Sequence, residues 1–254
     1  MFRTLNIDLS WKDGDIITFL PIFLTLICFS IYWFIAQSER IKSIFYNKYD
    51  FDKASANHIL FTKIIGFILM GVVPSIVFYI LIPDFKLSNY GLTFVNETAL
   101  FSLVSLVGLL LIVIPVVSFN ARKPSNFVIY PQIKIKVWDR KLFIYNGIGW
   151  TIYLFGYEFL FRGILLFSLI GPFGVWPAIA INVALYSATH IPKSMNETIS
   201  AVPFGIVLCL ITIASGSIWI AFIVHIAMAF TNTYIALKYN PEMNYHKKTK
   251  NYNV

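Results

Sequence analysis

The sequence predicts an all-α protein, a polytopic membrane helix bundle of about seven transmembrane helices with its N-terminus outside and its C-terminus in the cytoplasm. Three observations predict it: an apolar composition, apolar runs of spanning length, and basic residues confined to alternate loops. Of the 254 residues, 58% are hydrophobic and 13% charged, with a mean hydropathy of +0.73. Soluble domains run at about 45–50% apolar and about 25% charged. A water-soluble core of this length cannot hide so much apolar surface.

A span needs about 20 predominantly apolar residues. Seven segments meet or approach that: Ile16–Ala36, Ile59–Ile82, Ala99–Phe119, Leu142–Ile170, Val175–His190, Ile199–Ala214 and Ile218–Leu237. The fifth and sixth are short and read as tilted, kinked or partly re-entrant. The first follows Asp8, Asp13 and Asp15 without a basic n-region or a small-residue cleavage site, so it reads as a span and not as a signal peptide. Loops Gln37–His58 and Asn120–Lys141 and the tail after Leu237 carry most of the lysine and arginine, whereas the intervening connections are nearly free of base. Positive-inside alternation then sets the orientation. The division that follows is a three-span region with its basic loop (1–141), a four-span core (142–237) and a basic tail (238–254).

The net charge of +8 belongs to these loops. No basic stretch has the aromatic spacing of a nucleic-acid binder, so the expected partners are the lipid bilayer and a membrane-associated peptide, with no nucleic acid. Cys28 and Cys209 lie inside apolar runs and read as packing residues. His58 and His246 fall in loops. Tyr130–Lys141 alternates basic and apolar residues and reads either as an interfacial helix or ribbon on anionic headgroups or as a solvated loop.

The informative residues are the few polar ones inside the spans. Glu158 and Arg162 stand one helical turn apart in the fourth span, on one face. A central charge costs about 2.5–3.5 kcal/mol on insertion, which favours a functional pair over a structural ion link. In the fifth span Asn182, Tyr186 and His190 recur every four residues as one polar stripe, ending at Ile191-Pro192 and followed by Lys193 and Glu197. In the last span His225 and Asn232 share a face. A glutamate with two histidines is equipped to activate water, or to ligate a divalent metal such as zinc through Glu158, His190 and His225. The two histidines also admit a bis-histidine haem carrier.

Glu158-Phe-Leu-Phe-Arg162-Gly163, then Tyr186-Ser-Ala-Thr-His190, then His225 on a later span resembles the CPBP family of intramembrane proteases, which includes the type II CAAX prenyl endopeptidases and abortive-infection-like proteins. Order and spacing match over about Leu142–Leu237. The resemblance implies a multi-pass bacterial plasma-membrane endopeptidase, with Glu158, Arg162, His190 and His225 as catalytic residues. Tyr157, Asn182, Tyr186, Glu197 and Asn232 then fall at substrate-binding positions. The chain departs at two places. The family's first glutamate, credited with activating water, falls on Tyr157, and its last asparagine falls on Ala229. Glu158 itself or Glu197 is then the replacement carboxylate, and Asn232 the replacement amide. The departures also frame an alternative, a pseudo-protease acting as a peptide-binding or immunity module. The orientation is checked by cysteine labelling in intact cells: a cysteine replacing Ser88 reacts with an impermeant maleimide from outside, and one replacing Ser125 reacts only after permeabilisation.

Overall fold

The computed structural model describes residues 9–12, 14–192 and 194–245. Lys193 and His246 lie outside the described residues. Among those described, six helices are long and apolar enough to cross a membrane, and a seventh, Val175–Ala188, is shorter. The elements are α1 (Asp15–Ala36), α2 (Glu39–Lys48), α3 (Phe51–Phe67), α4 (Val73–Leu81), α5 (Ala99–Asn120), α6 (Pro124–Phe127), α7 (Arg140–Glu158), α8 (Leu166–Phe173), α9 (Val175–Ala188), α10 (Met195–Ser215) and α11 (Trp219–Tyr239).

Two of the spans are each made of two α-helices joined through a π-helical turn. Ile68–Val72 joins α3 to α4 within Phe51–Leu81, and Phe159–Leu165 joins α7 to α8 within Arg140–Phe173. The first has a local cause. Pro74 offers no N–H and its ring crowds the carbonyl one turn back, so the helix widens just ahead of it.

The fourth span is the centre of the bundle: 78% of its apolar window is buried, against 6% for Asn96–Asn120 at the lipid-facing edge. It packs on the second span through glycine. A Cβ at Gly156 would stand 3.0 Å from the Phe67 Cα and 3.2 Å from the Gly71 N, both backbone atoms that cannot swing aside. Absence of side chains lets the two backbones approach, the usual way helices associate in lipid. The contact falls one residue before Tyr157 and two before Glu158, so the second span sets where the fourth span's charges sit.

The ends of several helices differ from the sequence reading. The connection between the first two spans contains α2, capped by Ser38, whose hydroxyl accepts the Ile41 N–H. Helix α3 begins at Phe51 behind its cap Asp50, which accepts the Lys53 N–H; that bond holds the Asp50 carboxyl below its ordinary range. His58 is therefore not a loop residue: it is buried in α3, with its ring centroid 5.6 Å from that of Phe45. The sixth span is of full length, because Ser194 caps it through the Glu197 N–H and adds the polar first turn that apolar counting omits. The fifth is indeed short, ending at Ala188 ahead of Pro192.

The segment 130–138 is neither a headgroup ribbon nor a solvated loop. It winds over the end of the bundle, with Ile133, Ile135 and the fully buried Trp138 packed against Ala56, Leu237 and Met243. Lys134 N–H donates to Ser55 Oγ, and β1 (Val137–Trp138) pairs in parallel with β2 (Asn244–Tyr245). Its alternation thus points apolar residues at the bundle's own end. At the other end of the bundle, Gly91 takes a left-handed φ of +78° and its carbonyl accepts the Ile218 N–H, docking the connection after α4 on the start of α11. Replacing Gly156 with valine drives side-chain carbon into backbone and costs about 1–3 kcal/mol or more; the expected result is a lower unfolding temperature in detergent, with a smaller loss for the open position Gly108→Val.

Candidate functional site

Glu158 closes α7 immediately before the π-helical turn, and Arg162 lies inside that turn. Both side chains are 0% exposed. Arg162 Nε lies 3.6 Å from Glu158 Oε2, and His225 Nδ1 of α11 lies 2.5 Å from Glu158 Oε1. At that separation a bare imidazole nitrogen and a carboxylate oxygen would repel, so the proton sits on Nδ1. These contacts are ionic in distance but bent in angle: both carboxylate oxygens, His225 Nδ1 and the three guanidinium nitrogens are buried without an aligned hydrogen bond. Their bonding capacity is only partly spent inside the protein.

The remaining geometry centres on Tyr186. Its ring is 1% exposed and lies 4.1 Å beneath the Arg162 guanidinium carbon. Its hydroxyl is 3.2 Å from His225 Nε2. With His225 Nδ1 carrying its proton toward Glu158, Nε2 of the neutral ring accepts and the tyrosine hydroxyl donates. Glu158, His225 and Tyr186 thus form one chain across α7, α11 and α9.

His190, half-buried just beyond α9, completes the cluster. Its Nδ1 lies 3.0 Å from the Tyr186 carbonyl oxygen. A carbonyl only accepts, so Nδ1 bears the proton and Nε2 carries the lone pair. Thr189 Oγ1 donates to the same carbonyl at 2.7 Å and accepts from the Tyr157 hydroxyl at 2.8 Å. Tyr157 therefore ties α7 to the end of α9. Asn182 works at the other end of the stripe. Its Nδ2 donates to the Phe161 carbonyl within the π-helical turn, at 2.5 Å, and its Oδ1 accepts from Cys209 at 3.2 Å. It braces the Arg162 turn from α9 and faces no open space.

The fourth, fifth and seventh segments thus turn their polar groups toward one locus, as the sequence stripe implies. Two residues stand apart from it. Asn232 is half-buried and has no polar contact with the cluster among the described residues. Ala229 packs with Trp150, Leu154 and Phe222 in an apolar cluster, so the place of the family's asparagine is filled with carbon. Glu197 sits in the first turn of α10. Among the described residues no three histidine, cysteine, aspartate or glutamate side chains gather as a metal-binding group.

Two residues that the sequence reading passes over belong to the surroundings. Thr189 links Tyr157 to His190. Lys63, in the second span, is 3% exposed, with its ammonium 3.2 Å from the Trp150 ring centroid and 4.4 Å from that of Tyr153. Tyr153 in turn stacks on Tyr157, their ring centroids 5.9 Å apart. A lysine inside an apolar run was a visible signal.

A bundle of spans that buries a Glu–Arg–His cluster at its centre defines an integral, multi-pass membrane protein with an intramembrane polar site. Residues 140–231 match the family model described as type II CAAX prenyl endopeptidase Rce1-like, a family of membrane proteases, and this match supports the likeness of the core to the CPBP family. The match spans Glu158, Arg162, His190 and His225 and leaves the first three spans outside it. No curated protein and no solved structure matches the chain.

Removing one member of the buried pair isolates the other charge, at a cost of about 3–5 kcal/mol. Arg162→Met alone is therefore expected to lose more stability in detergent unfolding than Arg162→Met combined with Glu158→Gln. A double-variant loss equal to the sum of the Arg162→Met and Glu158→Gln losses would show that the two charges are not coupled.

Proposed function

We propose that the protein is an intramembrane endopeptidase that hydrolyses a peptide bond of a membrane-associated substrate, a prenylated or leader peptide. The observation that carries this is the His225–Glu158 contact of 2.5 Å inside a wholly buried turn that also holds Arg162. Glu158 acts as an orienting acid in this reading. Both of its oxygens face cations or N–H groups of the protein. It fixes His225 with Nε2 turned toward Tyr186, and Arg162 holds the carboxylate in place. His190 is the base: its Nδ1–H is held by the Tyr186 carbonyl, and the residue is half-buried at the end of α9. A positioned base of this kind contributes about 10²–10⁴-fold. Tyr157, in place of the family's first glutamate, positions Thr189 and through it the His190 ring.

The reaction is proposed to proceed without a metal. A divalent ion would need the carboxylate face that the Arg162 cation occupies. A haem clasped between the two histidines is disfavoured by Tyr186, whose ring centroid lies 4.8 Å from that of His190 and 6.2 Å from that of His225.

The test is cleavage by purified protein in nanodiscs, with a fluorogenic prenylated peptide and a leader peptide as substrates. Glu158→Gln and His190→Ala are each expected to lose about 10²-fold or more in turnover, and 1,10-phenanthroline is expected to leave the wild-type rate unchanged. Unchanged turnover in both variants overturns the assignment. Peptide binding by wild-type protein with no product identifies the peptide-binding module instead.

A further inference from the structure

Resting on the endopeptidase reading, we propose that Tyr186 is a catalytic residue, the general acid that protonates the leaving amine. The ring alone would serve packing. The hydroxyl is instead buried at 3.2 Å from His225 Nε2, on a ring that lies 4.1 Å under Arg162 and 4.8 Å, centroid to centroid, from His190. A phenol placed between two imidazoles and beneath a guanidinium has a hydrogen-bond partner for its proton and a cation for its anion. Each of those is what a proton donor needs.

The proton balance closes on residues of this chain. Water attacks the carbonyl carbon, its C–O bond forming as one water proton passes to His190 Nε2. The tetrahedral intermediate collapses, the C–N bond breaks, and the amine nitrogen takes the Tyr186 hydroxyl proton. The phenolate is held by Arg162 above its ring and then regains a proton from the His190 imidazolium. The sum is one peptide bond and one water converted to a carboxylic acid and an amine, with every residue restored. His225 orients the hydroxyl throughout, and Glu158 orients His225.

Tyr186→Phe keeps the ring and its contact with Arg162 and removes only the hydroxyl. Its turnover is expected to fall about 10²-fold, with KM little changed. In a second form, 3-fluorotyrosine is placed at position 186, retaining the hydroxyl and making it more acidic. The alkaline limb of the kcat–pH profile is then expected to move to lower pH, a shift that a packing role would not produce. Wild-type turnover in Tyr186→Phe, or an unmoved alkaline limb in the fluorotyrosine protein, overturns the assignment while leaving the endopeptidase reading standing. A wild-type protein without any cleavage sinks both. Should Tyr186→Phe fail to fold, the fluorotyrosine profile alone decides.

Discussion

A guanidinium with no solvent-exposed surface is the constraint on which the bundle depends. Arg162 cannot give up its proton, and in lipid it has no water to compensate it. Its partners must come from the protein and arrive from several helices: the Glu158 carboxylate from its own span and the Tyr186 ring from α9. His225 then joins through Glu158, from α11. Spans four, five and seven are thereby gathered around one point. The same enclosed polarity that makes the cluster costly to build makes it potent once built, because charges interact strongly away from bulk water.

The first three spans lie outside the matched family core, yet the structure gives them a mechanical part. The Gly71–Gly156 approach brings the two π-helical turns side by side, and a π turn displaces every downstream side chain from where a regular helix would carry it. Lys63 adds a second tie, its ammonium against the faces of Trp150 and Tyr153 on the fourth span. Through Tyr153 and Tyr157 that tie reaches Thr189 and His190. The second span is thus a backing plate for the fourth, holding its charged turn against the helices that carry the histidines.

The cluster itself was legible because charge in an apolar run is conspicuous and helical spacing says which residues share a face. Glu158, Arg162, Tyr186, His190 and His225 follow from that logic. Asn232 followed from it too and misled: sharing a face with His225 places it two turns along α11, beyond the cluster. Periodicity reports direction around a helix, not distance along it. Lys63 is equally conspicuous, but it stands alone in its apolar run, with no second charged residue to give it a face. The glycines at 149, 156 and 163 share a seven-residue spacing, a pattern that marks the close face of the fourth span. The segment 130–138 was misread because alternation fits a lipid surface and a protein surface equally well; only the neighbours Ala56, Leu237 and Met243 distinguish them.

By itself the sequence determined the class of protein, the approximate extent of its spans and the identity of its buried polar groups. All of these are local consequences of hydropathy and of the 3.6-residue turn. The tertiary structure decided which groups meet and in what sense. His225 and not His190 takes the carboxylate, Tyr186 stands between the imidazoles, and Tyr157 holds the end of α9 through Thr189. Those facts depend on how far each helix slides along its neighbours, which is set by glycine contacts, π-helical turns and proline positions acting between segments distant in the chain. No local pattern encodes that displacement, and at a site where one ångström separates a contact from a gap it governs the chemistry.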